Sequence, residues 1–69
     1  SIMTKLATIL TERGMSQRDL QKAIKTKHNV FLGDDRISRL VNGIIRNYHT
    51  NTCKIIADTL EVKMDDIIE

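Results

Sequence analysis

Aliphatic side chains recur at helical spacing along most of this chain, and no proline interrupts them. The first such stripe follows the positions i, i+4, i+7 and i+8 of a helix: Ile2, Leu6, Ile9 and Leu10. Because the only aromatic residues are Phe31 and Tyr48, the core has to be built from aliphatic side chains. This pattern favours an all-α bundle of short helices and argues against a sheet.

Start and stop signals divide the first part of the chain into two helices. A first helix is predicted at about residues 2–13, with Gly14 ending it in the left-handed conformation that glycine tolerates. Ser16 followed by Asp19 predicts a capping box. A second helix is therefore expected from residue 17 to about 25.

The connection over residues 26–33 is expected to be structured, with its apolar run from Val30 to Leu32 packed against the core. Asp34 is predicted to cap a third helix at about residues 35–42. Asn42 and Gly43 together give the stop signal for that helix.

Two further helices are predicted in the last third of the chain. The fourth begins at a Thr50 or His49 cap and runs to about Leu60. A short fifth helix turns Ile67 and Ile68 inward. The buried face of the fourth helix is expected to hold Cys53, Ile56, Ala57 and Leu60.

Residues 1–69 are short enough for one domain with one small core. The single cysteine, Cys53, excludes an internal disulfide, which favours a reducing compartment such as the cytoplasm. No apolar stretch approaches the roughly 20 residues of a membrane span. His28, His49 and Cys53 lack the paired spacing of a zinc site. We therefore expect no metal, no cofactor and no catalysis, and a core position for Cys53.

Charge is distributed unevenly along the chain. Residues 1–54 contain ten basic and four acidic side chains, a formal charge of +6, whereas residues 55–69 carry −4. A basic body is typical of proteins that bind polyanions, although a solvated surface of mixed charge remains an alternative.

Four sequence segments in order resemble the phage repressor/Cro-type helix-turn-helix family. They are GMSQRDL at 14–20, ISRLVNG at 37–43, IADTLEV at 56–62 and DDII at 65–68. This resemblance covers about residues 4–68 and implies a compact five-helix, lambda-repressor-like domain. It also implies double-stranded DNA as the partner, a third helix in the major groove, and a homodimer.

The resemblance assigns site residues to this sequence by position. Gln17 takes the place of the residue that contacts a phosphate and braces the recognition helix. The positions that read base edges, and those that contact the DNA backbone, are Asp34, Asp35, Arg36, Ser38, Arg39, Asn42 and Arg46. Two features depart from the family pattern: the connection is about six residues longer, and Gln21 replaces a small alanine.

Two arginines of the third helix are the strongest candidates for reading sequence. Arg36 and Arg39 stand at i and i+3, so both project from one side of the helix. Arginine donates to guanine O6 and N7 in bidentate fashion. The alternative is a solvated surface or an ion pair between Asp35 and Arg39. For the two aspartates, helix capping is favoured over contact with cytosine.

The leading hypothesis is a sequence-specific transcriptional regulator, a repressor of prokaryotic or phage type. One rival is a protein-interaction or antitoxin-like module that keeps the fold without specific DNA binding. Another is a DNA binder without sequence preference, driven by the +6 charge of residues 1–54.

Overall fold

The computed structural model of this chain describes residues 3–43 and 50–69. Its first helix, α1, spans Lys5–Glu12. The Thr4 side chain caps it, accepting a hydrogen bond from the Ala7 N–H and donating one to the Val41 carbonyl. Thr4 takes the extended conformation of a cap, so α1 starts at Lys5; Ile2, the first residue of the predicted stripe, lies outside the described residues. The helix ends at Glu12, and Gly14 two residues later has the predicted left-handed conformation, with φ of +65°.

The second helix, α2, spans Gln17–His28 and begins with the predicted capping box. The Ser16 Oγ accepts from the Asp19 N–H at 3.0 Å, and an Asp19 carboxylate oxygen accepts from the Ser16 N–H at 2.9 Å. The predicted end near residue 25 was too early. No residue from 26 to 28 breaks a helix, and the chain turns only at Asn29, with φ of 56°.

The third helix, α3, spans Asp34–Asn42, close to the predicted range. The prediction that Asp34 caps it was wrong, because Gly33 is the capping residue and makes no side-chain hydrogen bond. Asp34 is the first helical residue, and its carboxylate accepts from the Gln21 side chain instead. The helix stops before Gly43, as predicted.

The fourth helix, α4, spans Asn51–Leu60, with Thr50 as its capping residue. A 3₁₀ helix at Met64–Asp66 occupies the place of the predicted fifth helix. A five-helix count is thus not confirmed: the part of the chain that the structure describes has four α-helices, one 3₁₀ helix and no strands. His49 and Tyr48 lie outside the described residues.

The core is aliphatic, as predicted; every α-helix contributes buried residues, and Met64 of the 3₁₀ helix packs against it partly buried. Helix α2 packs against both α3 and α4, while α1 packs on α3. Cys53 is only 3% exposed, which confirms it as a core residue. Ile67 and Ile68 are buried in the same cluster, so they face inward as predicted. The radius of gyration is 10.8 Å, near the value of about 11 Å for a compact chain of this length.

Hydrogen bonds join the first helix to the last part of the chain. The Arg13 guanidinium donates to the Leu60 carbonyl at 2.6 Å, where a cation complements the C-terminal end of α4. The Lys5 ammonium donates to the carbonyl oxygens of Asp65 and Ile68. These contacts connect basic side chains at the two ends of α1 to backbone carbonyls at the end of α4 and beyond it.

The connection between α2 and α3 differs from its prediction at one residue. Leu32 is buried at 4% exposure and Val30 packs partly against the core, but Phe31 is 68% exposed. Burial that alternates with a period of two is typical of an extended segment. An extended connection directs Phe31 outward when its two neighbours point inward.

Candidate nucleic-acid interface

Helix α3 has one packed face and one open face. Ile37 and Val41 are buried beneath it. On the opposite side, an open recess of about 340 Å³ is lined by Asp35, Ser38 and Arg39. The sequence thus produces the division that a recognition helix requires, with aliphatic residues fixing the helix and polar residues facing out.

Arg39 is exposed on this open face. Among the described residues, its guanidinium makes no hydrogen bond or ion pair, and the alternative pair with Asp35 is not formed within 4.0 Å. With respect to residues 3–43 and 50–69, all its donors are available to an acceptor from outside. A planar guanidinium in this state matches the two acceptors of a guanine edge.

Arg36 is also exposed but has an intramolecular partner. Its Nη2 donates to the Thr52 Oγ1 at 3.0 Å, which directs the guanidinium toward the start of α4. The two predicted arginines are therefore not equivalent. Arg39 faces the open recess, whereas Arg36 has to give up or share its bond to Thr52 in order to contact a ligand.

Asp34 interacts with helix α2. The Gln21 amide donates both to the Leu32 carbonyl at 2.6 Å and to the Asp34 carboxylate at 3.1 Å. Arg18 lies 3.9 Å from the same carboxylate, in an exposed pair that adds little stability. Gln21 and Arg18 thereby orient Asp34 along the gap between α2 and the start of α3.

Gln17 lies at the first position of α2, beside the start of α3. It lines a groove of about 360 Å³ with Ser16, Arg18, Asp34 and Ile37. Within the described residues, the backbone N–H groups of Gln17 and Arg18 donate to no protein acceptor. Free amides at a helix N-terminus suit a phosphate oxygen.

The negative charge already present at this helix end belongs to Asp19. The Ser16 backbone N–H, and after it the Ser16 hydroxyl, lower the pKa of the Asp19 carboxyl from its usual value of 3.8. The nearby ammonium of Lys22 acts in the same direction. Asp19 is therefore ionised near neutral pH and stabilises the first turn of α2.

Asn42 and Arg46 are the remaining predicted site residues. The Asn42 amide donates to the Ser38 carbonyl at 3.0 Å and to the Ser38 hydroxyl at 3.3 Å, both within α3. Both of its donor hydrogens thus have partners inside the helix, as suits a helix terminator. Arg46 lies outside the described residues.

The sequence patterns did not single out three side chains that shape this surface. Gln21 was noted only as a departure from a small residue, and its bonds to the connection explain why a long polar side chain occupies that place. The Thr52 contact with Arg36 joins residues 16 positions apart, so no local pattern reveals it. Phe31 was expected to pack inward.

Residues 3–43 and 50–69 contain neither a metal-binding cluster nor a membrane-spanning helix. In those ranges no three histidine, cysteine, aspartate or glutamate side chains lie close enough together to hold a metal ion. The helices in the same ranges are all too short or too polar to cross a bilayer.

Over residues 3–43 and 50–69 the protein is small, compact and all-helical, and α3 has a polar face that is open to solvent. Comparison of this chain with known protein families, with curated proteins and with solved structures finds no match. The resemblance to the repressor/Cro-type family therefore depends on the residue pattern and its spacing.

Proposed function

We propose that this chain binds double-stranded DNA sequence-specifically and acts as a transcriptional regulator, a repressor of prokaryotic or phage type. The observation that supports this proposal best is the exposed Arg39 guanidinium, which has no partner among the described residues. On this proposal α3 enters the major groove, where Arg39 donates to guanine O6 and N7.

The neighbouring residues take roles that follow from their positions. The free amides at the start of α2 bind a phosphate beside Gln17, which fixes the register of α3 on the duplex. Ser38 and Asp35, which line the recess with Arg39, supply the remaining base contacts. Asp34 positions the start of α3 through its bond with Gln21 and does not read a base.

The proposal extends to the domain type, the oligomeric state and the cellular compartment of the protein. The four α-helices and the 3₁₀ helix would correspond to the five-helix repressor-like domain. The protein would act in the cytoplasm as a homodimer, without cofactor or catalysis. Two copies would place their α3 helices about one turn of DNA apart, roughly 10 bp.

One set of contacts favours a second candidate, a protein-interaction module on the same fold. Asp34 and Arg36 are both engaged inside the molecule, which leaves fewer side chains free to read bases. The acidic Asp35 at the start of α3 also repels phosphates. A partner with basic side chains would suit that end of the helix.

Selection of bound duplexes from a random pool, followed by titration against salt, separates these candidates. The regulator predicts an enriched palindrome and, for about five phosphate contacts, a log–log salt slope near −4 to −5. No binding at low salt would favour the protein-interaction module. Equal binding to every duplex would show a binder without sequence preference.

A further inference from the structure

Phe31 is the more exposed of the two large apolar side chains that the described residues leave open to solvent. It is 68% exposed, compared with 50% for Met3. The adjacent Leu32 is buried, so the connection is not simply detached from the core. A single exposed apolar residue is ordinary on a protein surface, and its surroundings decide what it means.

Those surroundings are basic. Phe31 lines an open groove of about 290 Å³ with Gln21, Lys22, Lys25 and Thr26, and none of these side chains is acidic. Lys25 donates to the neutral amide oxygen of Asn29, which leaves its charge uncompensated. Lys22 has Asp19 as an acidic neighbour. The groove therefore combines an aromatic ring with two exposed ammonium groups.

This basic groove lies next to the start of α3. Gln21 lines the groove and donates to both Leu32 and Asp34, which connects the groove to the start of α3. Asp34 in turn lines the groove beside Gln17. The Asp34 carboxylate on this route lies 3.9 Å from the Arg18 guanidinium, which offsets part of its charge.

We propose that the basic groove is a second contact with DNA, on the nucleotides that flank the α3 site. This inference rests on the proposed function. Lys22 and Lys25 neutralise flanking phosphates, and Phe31 packs against the deoxyribose and base edge between them. Charge favours DNA over a protein, because a duplex presents regularly spaced negative charge to both lysines.

The test compares two duplexes that contain the selected site, one with natural flanks and one trimmed by about 5 bp on each side. Phe31→Ala should lower affinity for the long duplex about tenfold, the order expected when the apolar burial of one aromatic side chain is lost. It should leave affinity for the trimmed duplex unchanged. The double variant Lys22→Gln/Lys25→Gln should reduce the salt slope on the long duplex by about 2.

Two matched variants act as controls: Met3→Ala removes an exposed apolar side chain, and Lys63→Gln removes an exposed ammonium from the acidic end. Neither should alter binding to either duplex. Circular dichroism checks that each variant is folded, which is expected for changes at exposed positions.

Each other outcome contradicts the inference in its own way. If the wild-type chain binds no duplex, both this inference and the proposed function fail. If it binds but Phe31→Ala and the lysine variant match it, this inference alone fails. Equal loss on the long and trimmed duplexes also refutes it, as does an effect of Phe31→Ala only on self-association measured by sedimentation.

Discussion

At the scale of single residues, sequence discrimination in the proposed complex depends on Arg39. Its guanidinium is exposed on α3 and, within the described ranges, has no internal partner to release before binding. Arg36, by contrast, must first give up or share its bond to Thr52. Contact with DNA would therefore cost Arg36 an internal hydrogen bond but would cost Arg39 none within the described residues.

Replacing Arg39 tests this assignment. Arg39→Ala should reduce the preference for the selected duplex over a scrambled one by about 10- to 100-fold, the value of one bidentate guanine contact. Competition binding with the two duplexes measures this preference. Lys63→Ala is the control and should change neither affinity. An equal loss of affinity for both duplexes would contradict this assignment and would show that Arg39 contacts a phosphate and not a base.

The capping box at the start of α2 makes stability depend on acid pH. Asp19 has a pKa below its usual 3.8 in the folded chain, so its charged form stabilises the fold above that value. This contribution is lost as pH falls through the lower, folded pKa. Asp19→Asn should therefore show a flatter dependence of unfolding free energy on pH between about pH 5 and 2 than the wild type.

Ser16→Ala should flatten the same curve only in part, and less than Asp19→Asn does. It removes the Ser16 hydroxyl, the second cause of the lowered pKa, but keeps the Ser16 backbone N–H, which is the largest cause. It should also cost about 1 kcal/mol at neutral pH through loss of the cap, or about 4–8 °C in Tm. Urea unfolding at a series of pH values measures both effects. Parallel pH curves for the wild type and both variants would contradict the account.

At the scale of elements, the contact between Gln21 and the connection fixes how α3 approaches α2. The Gln21 amide satisfies the Leu32 carbonyl in a partly buried position. Gln21→Ala should leave that carbonyl without its partner and cost about 1–2 kcal/mol. Amide hydrogen exchange over residues 29–34 should accelerate more than in α4. Unchanged exchange there would show that the connection does not depend on Gln21.

The end of α3 is sensitive to added volume. A Cβ at Gly43 would lie 2.6 Å from the Arg39 carbonyl oxygen, a backbone atom that cannot rotate away. Gly43→Ala should therefore destabilise the chain by about 1–3 kcal/mol. Gly33→Ala is the control, since a Cβ there meets nothing within 4 Å. Equal effects of the two variants on thermal unfolding would contradict this.

At the scale of the whole molecule, local patterns predicted the elements better than the surface between them. Helical periodicity and the Ser16 cap predicted the helices, and the buried face of α4 was predicted residue by residue. Caps that depend on backbone conformation were less predictable: Asp34 was expected to cap α3, but the capping residue is Gly33. The contacts of Gln21 and Arg36 cross between elements, so spacing along the chain could not reveal them.

The uneven charge of the sequence also has a consequence for the whole molecule. The acidic C-terminal part carries Asp58, whose carboxylate lies 3.5 Å from the Lys27 ammonium and 2.9 Å from the His28 Nε2. The His28 Nε2 makes no hydrogen bond to that oxygen, so the ion pair of Asp58 is the one with Lys27. Part of the basic charge of α2 is thus neutralised away from the α3 face.

Amide chemical-shift mapping of the ¹⁵N-labelled chain, titrated with the selected duplex, tests the central claim most directly. DNA binding through the α3 face predicts that the largest shifts fall on Gln17, Asp35, Ser38 and Arg39, with residues 61–69 nearly unchanged. Largest shifts in residues 61–69, or no shifts at a slight excess of duplex, would contradict the account.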